Sequence, residues 1–103
     1  MDQTGTGHEG LPIRHVEEAN GGAFVIEQGG RRVGELAWDR GGPGVMIIEH
    51  TQVDEVLRGT GAGRQLVDAA ADWARRAGMK IAPFCPYAKK VMERDARYRD
   101  VLR

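Results

Sequence analysis

The sequence predicts a mixed α+β domain. An antiparallel meander of four strands leads into a β-α-β unit whose two strands run parallel, with one main helix and short C-terminal helices. Three observations carry this prediction. Four short apolar segments between residues 13 and 53 are separated by glycine-rich turns. The apolar spacing then changes to a helical period between Gly61 and Ala77. A further apolar run, Lys80 to Phe84, follows a glycine stop. Strand, helix and strand in that order call for a right-handed crossover, hence parallel strands.

The elements follow in order. Residues 1–10 are polar and carry Gly5, Gly7 and Gly10, which predicts a loose tail ahead of a domain spanning residues 11–103. Ile13 to Glu18 is the first strand. Asn20-Gly21-Gly22 reads as a turn, because these residues tolerate positive φ. Ala23 to Gln28 is the second strand, and Gly29-Gly30 the next turn. Arg31 to Trp38 is the third strand, with Gly34, Leu36 and Trp38 on one face. Gly41-Gly42-Pro43-Gly44 turns the chain into the fourth strand, Val45 to Val53. In the helix that follows, Leu66, Ala70, Trp73, Ala74 and Ala77 form one apolar stripe, and Gly78 is a natural C-cap. Lys80 to Phe84 is the fifth strand. Pro86 suits the first turn of a helix covering Tyr87 to Arg94. Asp95 to Arg103 reads as a short terminal helix carrying Tyr98, Val101 and Leu102.

Composition narrows the function. A chain of 103 residues makes one small domain. Its 15 basic and 15 acidic residues cancel, so it has no global field for nucleic acid or an anionic membrane. No run approaches the length of a membrane span, and Met1 to Gly10 lacks the apolar core of a signal peptide. Cys85 is the single cysteine, which excludes an internal disulfide and a cysteine zinc cluster and points to the cytosol; no metal site is expected. Glycine is over-represented at 15 residues, which argues for turns or a ligand loop.

The sharpest local feature is Arg58-Gly59-Thr60-Gly61-Ala62-Gly63-Arg64, between a strand and a helix. A helix start exposes unpaired N–H groups and carries about half a positive charge. Glycines let that backbone approach an anion, so the loop suits a phosphate or pyrophosphate, and Arg58 and Arg64 would add charge. A Walker A loop is excluded because no Lys-Ser or Lys-Thr pair is present. A dinucleotide fingerprint fails on spacing, since its third glycine would fall on Arg64 or Leu66. The pattern Arg/Gln-x-x-Gly-x-Gly/Ala is met by Arg58, Gly61 and Gly63.

That pattern resembles the acyl-coenzyme A pyrophosphate loop of the GNAT superfamily of N-acetyltransferases. The stretch from Glu49 to Gly63 looks like the fourth strand, turn and loop of that superfamily. The run Ala82-Pro83-Phe84-Cys85-Pro86-Tyr87, with Tyr98 near the end, is similar to its small YjdJ-type branch. The resemblance implies a minimal GNAT domain using acetyl-CoA to acetylate an amine, either a small molecule or a lysine. It implies a cofactor seated where the fourth and fifth strands splay apart. Pro83, which has no N–H for the ladder, gives the splay a physical cause. It further implies a backbone N–H near Val53 on the thioester carbonyl, the pyrophosphate on the amides from Gly59 through Thr60, Gly61, Ala62 and Gly63 to Arg64, and Tyr87 as a polar cofactor contact. Cys85, just before a helix start, would serve as nucleophile or proton donor.

Acyl transfer needs a neutral amine, so Glu49 or His50 is the expected base. Strict alternation gives Glu49 the face of Thr51 and Val53, and His50 the opposite one. Plainer roles stand beside these. Cys85 is the kind of small residue that fills a core. Glu49 and His50 could be solvated strand residues, and Arg58 could pair locally. Trp38 and Trp73 read as core. Lys89 and Lys90 read as a solvated face, with the cofactor's 3′-phosphate as the other use. An acyl-CoA binder without turnover, or a partner-binding module, is the alternative on the same fold, as a monomer or homodimer.

Overall fold

A computed structural model describes residues 11–103. The tail expected over residues 1–10 lies outside the described residues. Five strands form one sheet in the order of the chain: β1 (Arg14–Glu18), β2 (Gly21–Gln28), β3 (Arg31–Arg40), β4 (Val45–Val53) and β5 (Lys80–Pro83). The first four pair antiparallel, and β4 and β5 pair parallel. The crossover helix α1 (Ala62–Ala77) and the shorter α2 (Pro86–Arg94) pack side by side on one face of the sheet. The mixed antiparallel and parallel architecture is the one the sequence predicts.

The core lies between that face and the helices. Phe24, Ile26, Leu36, Trp38, Met46, Ile48 and Ile81 come from the strands. Leu66, Val67, Ala70, Ala71 and Ala74 come from α1, Ala88 and Met92 from α2, and Tyr98 from the C-terminal segment. Alanines at three α1 positions let the helix sit close to the sheet, because each presents only a methyl group. Gly78 ends α1 in the left-handed conformation, as its position predicts. Among the described residues no helix is long and apolar enough to cross a membrane.

Four details differ from the sequence reading. Gly21 and Gly22 belong to β2 rather than to a turn; Ala19 and Asn20 make the turn. Their glycine character serves close approach: a Cβ at Gly22 would lie 2.4 Å from the Val16 carbonyl oxygen. The C-terminal segment is a single 3-10 turn, Ala96–Tyr98, rather than a helix to residue 103. Leu102 then bridges to Ile81, with the Ile81 N–H donating to Val101 O and the Arg103 N–H to Ile81 O. The chain end thus covers the outer edge of β5. A 3-10 turn at Glu55–Leu57, which apolar periodicity cannot register in three residues, precedes the glycine loop.

The fourth difference bears on the site. In the β3–β4 ladder Trp38 faces Ile48 while Ala37 faces His50, so Glu49 is an extra residue, a β-bulge. Met46 and Ile48 face the helices before the bulge. After it, Thr51 pairs with Leu36 and Val53 with Gly34 on that same face. The strict alternation assumed for β4 therefore fails at Glu49.

A polar contact joins the core at Trp38. Trp38, 1% exposed, donates its indole N–H to Nε2 of His15 at 3.1 Å. The His15 ring stacks on Phe24 and meets Trp73 edge-on. Trp38 thus lies in the core, as expected, and the half-buried Trp73 packs against it. Burial lowers the His15 pKa, with the Glu17 charge opposing it. The folded state therefore binds fewer protons than the unfolded chain, and stability falls as pH drops below the ordinary histidine value of about 6.5. His15→Phe should keep the stacking but orphan the indole, costing about 1–3 kcal/mol at pH 7. Urea melts of both chains at pH 7.5 and 5.5 check this: the difference between them should narrow at the lower pH.

Candidate functional site

The site is built where β4 and β5 part. Their register runs from Val45 opposite Lys80 to Ile48 opposite Pro83 and ends there. Pro83 brings no N–H. The Ile48 carbonyl instead accepts both the Phe84 and the Cys85 N–H, each at 3.0 Å. Beyond this forked bond β4 has no partner on its β5 side. Asp54 donates its N–H to Val33 of β3, so by strand alternation the Val53 N–H points to the opposite edge, across the opening.

The loop after β4 is held by its own backbone. Asp54 caps the 3-10 turn by accepting the Val56 N–H, and Arg31 binds its other carboxylate oxygen at 3.0 Å. The capped amides and this guanidinium hold the Asp54 carboxyl below the usual range. Leu57 is buried and pins the turn to the core. Thr60 donates both its N–H and its hydroxyl to Leu57 O. Gly61, the α1 N-cap, is left-handed at φ 78°, a conformation costly for other residues, and provides no capping side chain. The first intrahelical N–H to find a partner is that of Gln65, on Gly61 O. Among the described residues, the amides of Gly61, Ala62, Gly63 and Arg64 have no partner, as at any helix start.

These pieces surround a cavity of about 330 Å³. Thr51 and Val53 of β4 form one wall, and Leu57, Arg58, Gly59, Gly61, Ala62 and Gly63 the loop end. Tyr87 of α2 closes the other side. Its phenol lies against Gly63, where a Cβ would come within 2.8 Å of the oxygen. Burial pushes the Tyr87 phenol pKa up, so at neutral pH the group is a hydrogen-bond donor.

The other expected site residues divide. Thr60 is committed to the loop's own geometry, and its side chain does not line the cavity. The Arg64 guanidinium binds Asp95 at 2.5 Å and does not line the cavity, leaving its amide at the helix start. Arg58 lines the cavity with an exposed guanidinium whose partner is Glu55, a surface pair of little strength. Lys89 pairs with Glu93 along α2. Cys85 is the α2 N-cap, 4% exposed, with its Sγ 3.6 Å from the Thr51 hydroxyl.

Glu49 follows Ile48 onto the face away from the helices and the bulge sends His50 to that same face, so the two do not lie on opposite faces. Glu49 hydrogen-bonds Asp39, and that shared contact raises its pKa. His50 Nε2 lies 3.3 Å from Glu35. The cysteine and the two candidate bases therefore occupy opposite sides of the opening.

Sequence reasoning missed Thr51, and it missed the anchoring of α1. Tyr98 binds Asp68 of α1 through its hydroxyl, and Arg97 approaches the same carboxylate. Neither has a local signature, because the partners are about 30 residues apart in sequence.

The family model described as GCN5-related N-acetyl-transferase matches residues 23–101. The chain belongs to the GCN5-related N-acetyltransferase family. A GCN5-like N-acetyltransferase from Staphylococcus aureus shares 27% identity with a TM-score of 0.70, covering 87% of each chain. An IAA acetyltransferase from Bacillus cereus ATCC 14579 is 31% identical over 62% of this chain and 43% of its own, with a TM-score of 0.54. The fold is also shared by a streptothricin acetyltransferase from Bacillus anthracis str. Ames, solved in complex with acetyl coenzyme A. That likeness has a TM-score of 0.55 at 22% identity and covers 66% of this chain and 40% of the other. No curated protein matches this sequence.

Tyr98→Phe removes a part-buried hydroxyl from Asp68. It should lower unfolding free energy by about 1–3 kcal/mol in a denaturant melt, with the sheet signal in circular dichroism unchanged below the transition.

Proposed function

We propose that the cavity is the acetyl-CoA site and that the domain transfers the acetyl group to an amine approaching from the open face of the sheet. The observation that carries this reading is the set of unpaired amides at the start of α1, opening into a cavity walled by the unpartnered stretch of β4. The residues fit the group. Four N–H groups, from Gly61 to Arg64, converge as a pyrophosphate requires. Arg58 supplies a mobile positive charge beside them. Gly59 keeps the approach free of a side chain, and Gly63 makes room for the Tyr87 phenol. The Val53 N–H, aimed across the opening, is the expected donor to a carbonyl oxygen.

Bound acetyl-CoA supplies an activated thioester. The chain's own groups orient it and handle protons. In this reading Cys85 holds a thiol on the helix side of the opening. Glu49 or His50 takes a proton from the incoming ammonium on the other side. The shared hydrogen bond with Asp39 makes Glu49 a weaker acid than an isolated carboxyl, which suits a base near neutral pH. The single, free and buried cysteine suits a reducing compartment, so we place the protein in the cytosol.

A second reading, acyl-CoA binding without turnover, has one observation in its favour. The β1–β2 connection is only Ala19 and Asn20, so it adds nothing over the open face to hold an acceptor. A homodimer partner could complete that face, and light scattering with and without acetyl-CoA tests this.

Titration calorimetry with acetyl-CoA tests the cofactor, and absence of binding at high micromolar concentration would reject both readings. Gly61→Val forces a β-branched residue into positive φ at the amide cluster. It should weaken binding about tenfold or more, because misplacing even one charge-assisted contact costs on the order of 1.4 kcal/mol. Mass spectrometry after acetyl-CoA treatment, with an amine panel, separates the readings. Turnover lost in Cys85→Ala supports a working thiol; full turnover in that variant removes Cys85 from the chemistry; binding without turnover favours the second reading.

A further inference from the structure

We propose that Thr51 is the positioning residue of Cys85: its hydroxyl fixes the orientation of the thiol and holds the thiolate when the proton leaves. The inference rests on the reading that the thiol serves the acetyl-transfer site.

The geometry singles out Thr51. Cys85 does not line the cavity, whereas Thr51 lines it and also contacts the thiol, with Sγ 3.6 Å from Oγ1. The side chain that stands between cleft and thiol is therefore this hydroxyl. Its cross-strand neighbour is Leu36, which offers no polar atom. Among the described residues, Cys85 is the side-chain hydrogen-bond partner of Thr51. Cys85 likewise places its side chain in no capping bond to α2, although it occupies the N-cap. The two groups are committed to each other.

The bulge at Glu49 creates the pair. With unbroken alternation from Ile48, His50 would face the helices and Thr51 the open side. The extra residue reverses this, so a hydroxyl meets the thiol while the imidazole goes to Glu35. A hydroxyl suits the position because it both accepts and donates. It accepts from the neutral thiol. When the S–H bond breaks and the proton passes to water, the O–H turns to donate to the anionic sulfur. A hydrogen bond to a charged group is the stronger of the two, so the hydroxyl holds the anionic sulfur more firmly than the neutral thiol.

The charged and titratable neighbours are few. Tyr87, on the first turn of α2, interacts with the thiol and with Arg64 and Asp68 of α1. From β4, Glu49 and His50 turn to the opposite face. None of them replaces the Thr51 hydroxyl.

The full chain without cofactor provides the test, since a single cysteine gives a single labelled Cβ resonance. Its carbon shift is followed against pH by NMR in the unsubstituted chain, Thr51→Val and Thr51→Ser. Thr51→Val is nearly isosteric and should move the thiol's midpoint up by about one pH unit, the worth of one hydrogen bond to a charged group. Thr51→Ser should restore it. An unchanged midpoint in a folded Thr51→Val, or a serine variant displaced as far as the valine one, overturns the proposal. If the valine variant does not fold, Thr51→Ala against Thr51→Ser makes the same comparison. In a second arm, the pH profile of acetylation should move by the same interval in Thr51→Val and return to that of the unsubstituted chain in Thr51→Ser. A chain that binds no acetyl-CoA refutes the proposed function, and the cofactor-free titration still judges Thr51.

Discussion

The loss of strand pairing after Ile48 is the constraint on which the rest of this structure depends. One carbonyl takes the N–H of both Phe84 and Cys85, and Pro83 has none to offer, so β5 leaves the ladder at a fixed residue. An unpaired strand edge inside a small domain is normally a liability. Here the opening is bounded by a helix start, by Tyr87 and by the turn that Leu57 anchors. The edge becomes the wall of a cavity rather than a surface for aggregation.

The bulge at Glu49 adds the second half of the arrangement. It lets Met46, Ile48, Thr51 and Val53 all look toward the helices, keeping the core continuous with the cavity wall. It also moves His50 to the open face, where Glu49 already lies. A thiol is thus separated from two proton-accepting groups by the thickness of the sheet. For a transfer reaction in which donor and acceptor must approach the same atom from different directions, that separation is useful.

The helix start stays available because the rest of α1 is tied down elsewhere. Arg75 binds both carboxylate oxygens of Asp100 and the Arg97 carbonyl, Arg64 binds Asp95, and Asp68 receives Tyr98. Each bond comes from a side chain on the flank of α1, so none uses the amides of its first turn. Individually such exposed ion pairs are weak. Their joint effect is to dock a C-terminal segment that has little helical structure of its own, and Leu102 then extends the sheet beside β5. The positive end of the helix dipole is left facing the cavity.

Much of the fold was legible along the chain because it rests on local chemistry. Alternating apolar residues, the paired glycines at 29–30 and 41–42, and the stripe from Leu66 to Ala77 report on their own elements. The glycine loop from Arg58 to Gly63 was legible for the same reason, since a left-handed N-cap and bare amides need particular residues in sequence. What escaped was everything decided across strands. The bulge at Glu49 depends on how β3 and β4 fit together, and it overturned the facing of Glu49 and His50. Gly21 and Gly22 carry a turn-like signature, yet the approach of the Val16 carbonyl makes them strand residues. Arg64 looked like a phosphate ligand, and Asp95, 31 positions away, holds its guanidinium instead. The sequence by itself determined the elements, their order and the loop at the start of α1. Only the tertiary structure decided which side chains meet at the opening, because a strand's register is set by its partner and one extra residue exchanges the faces of all that follow.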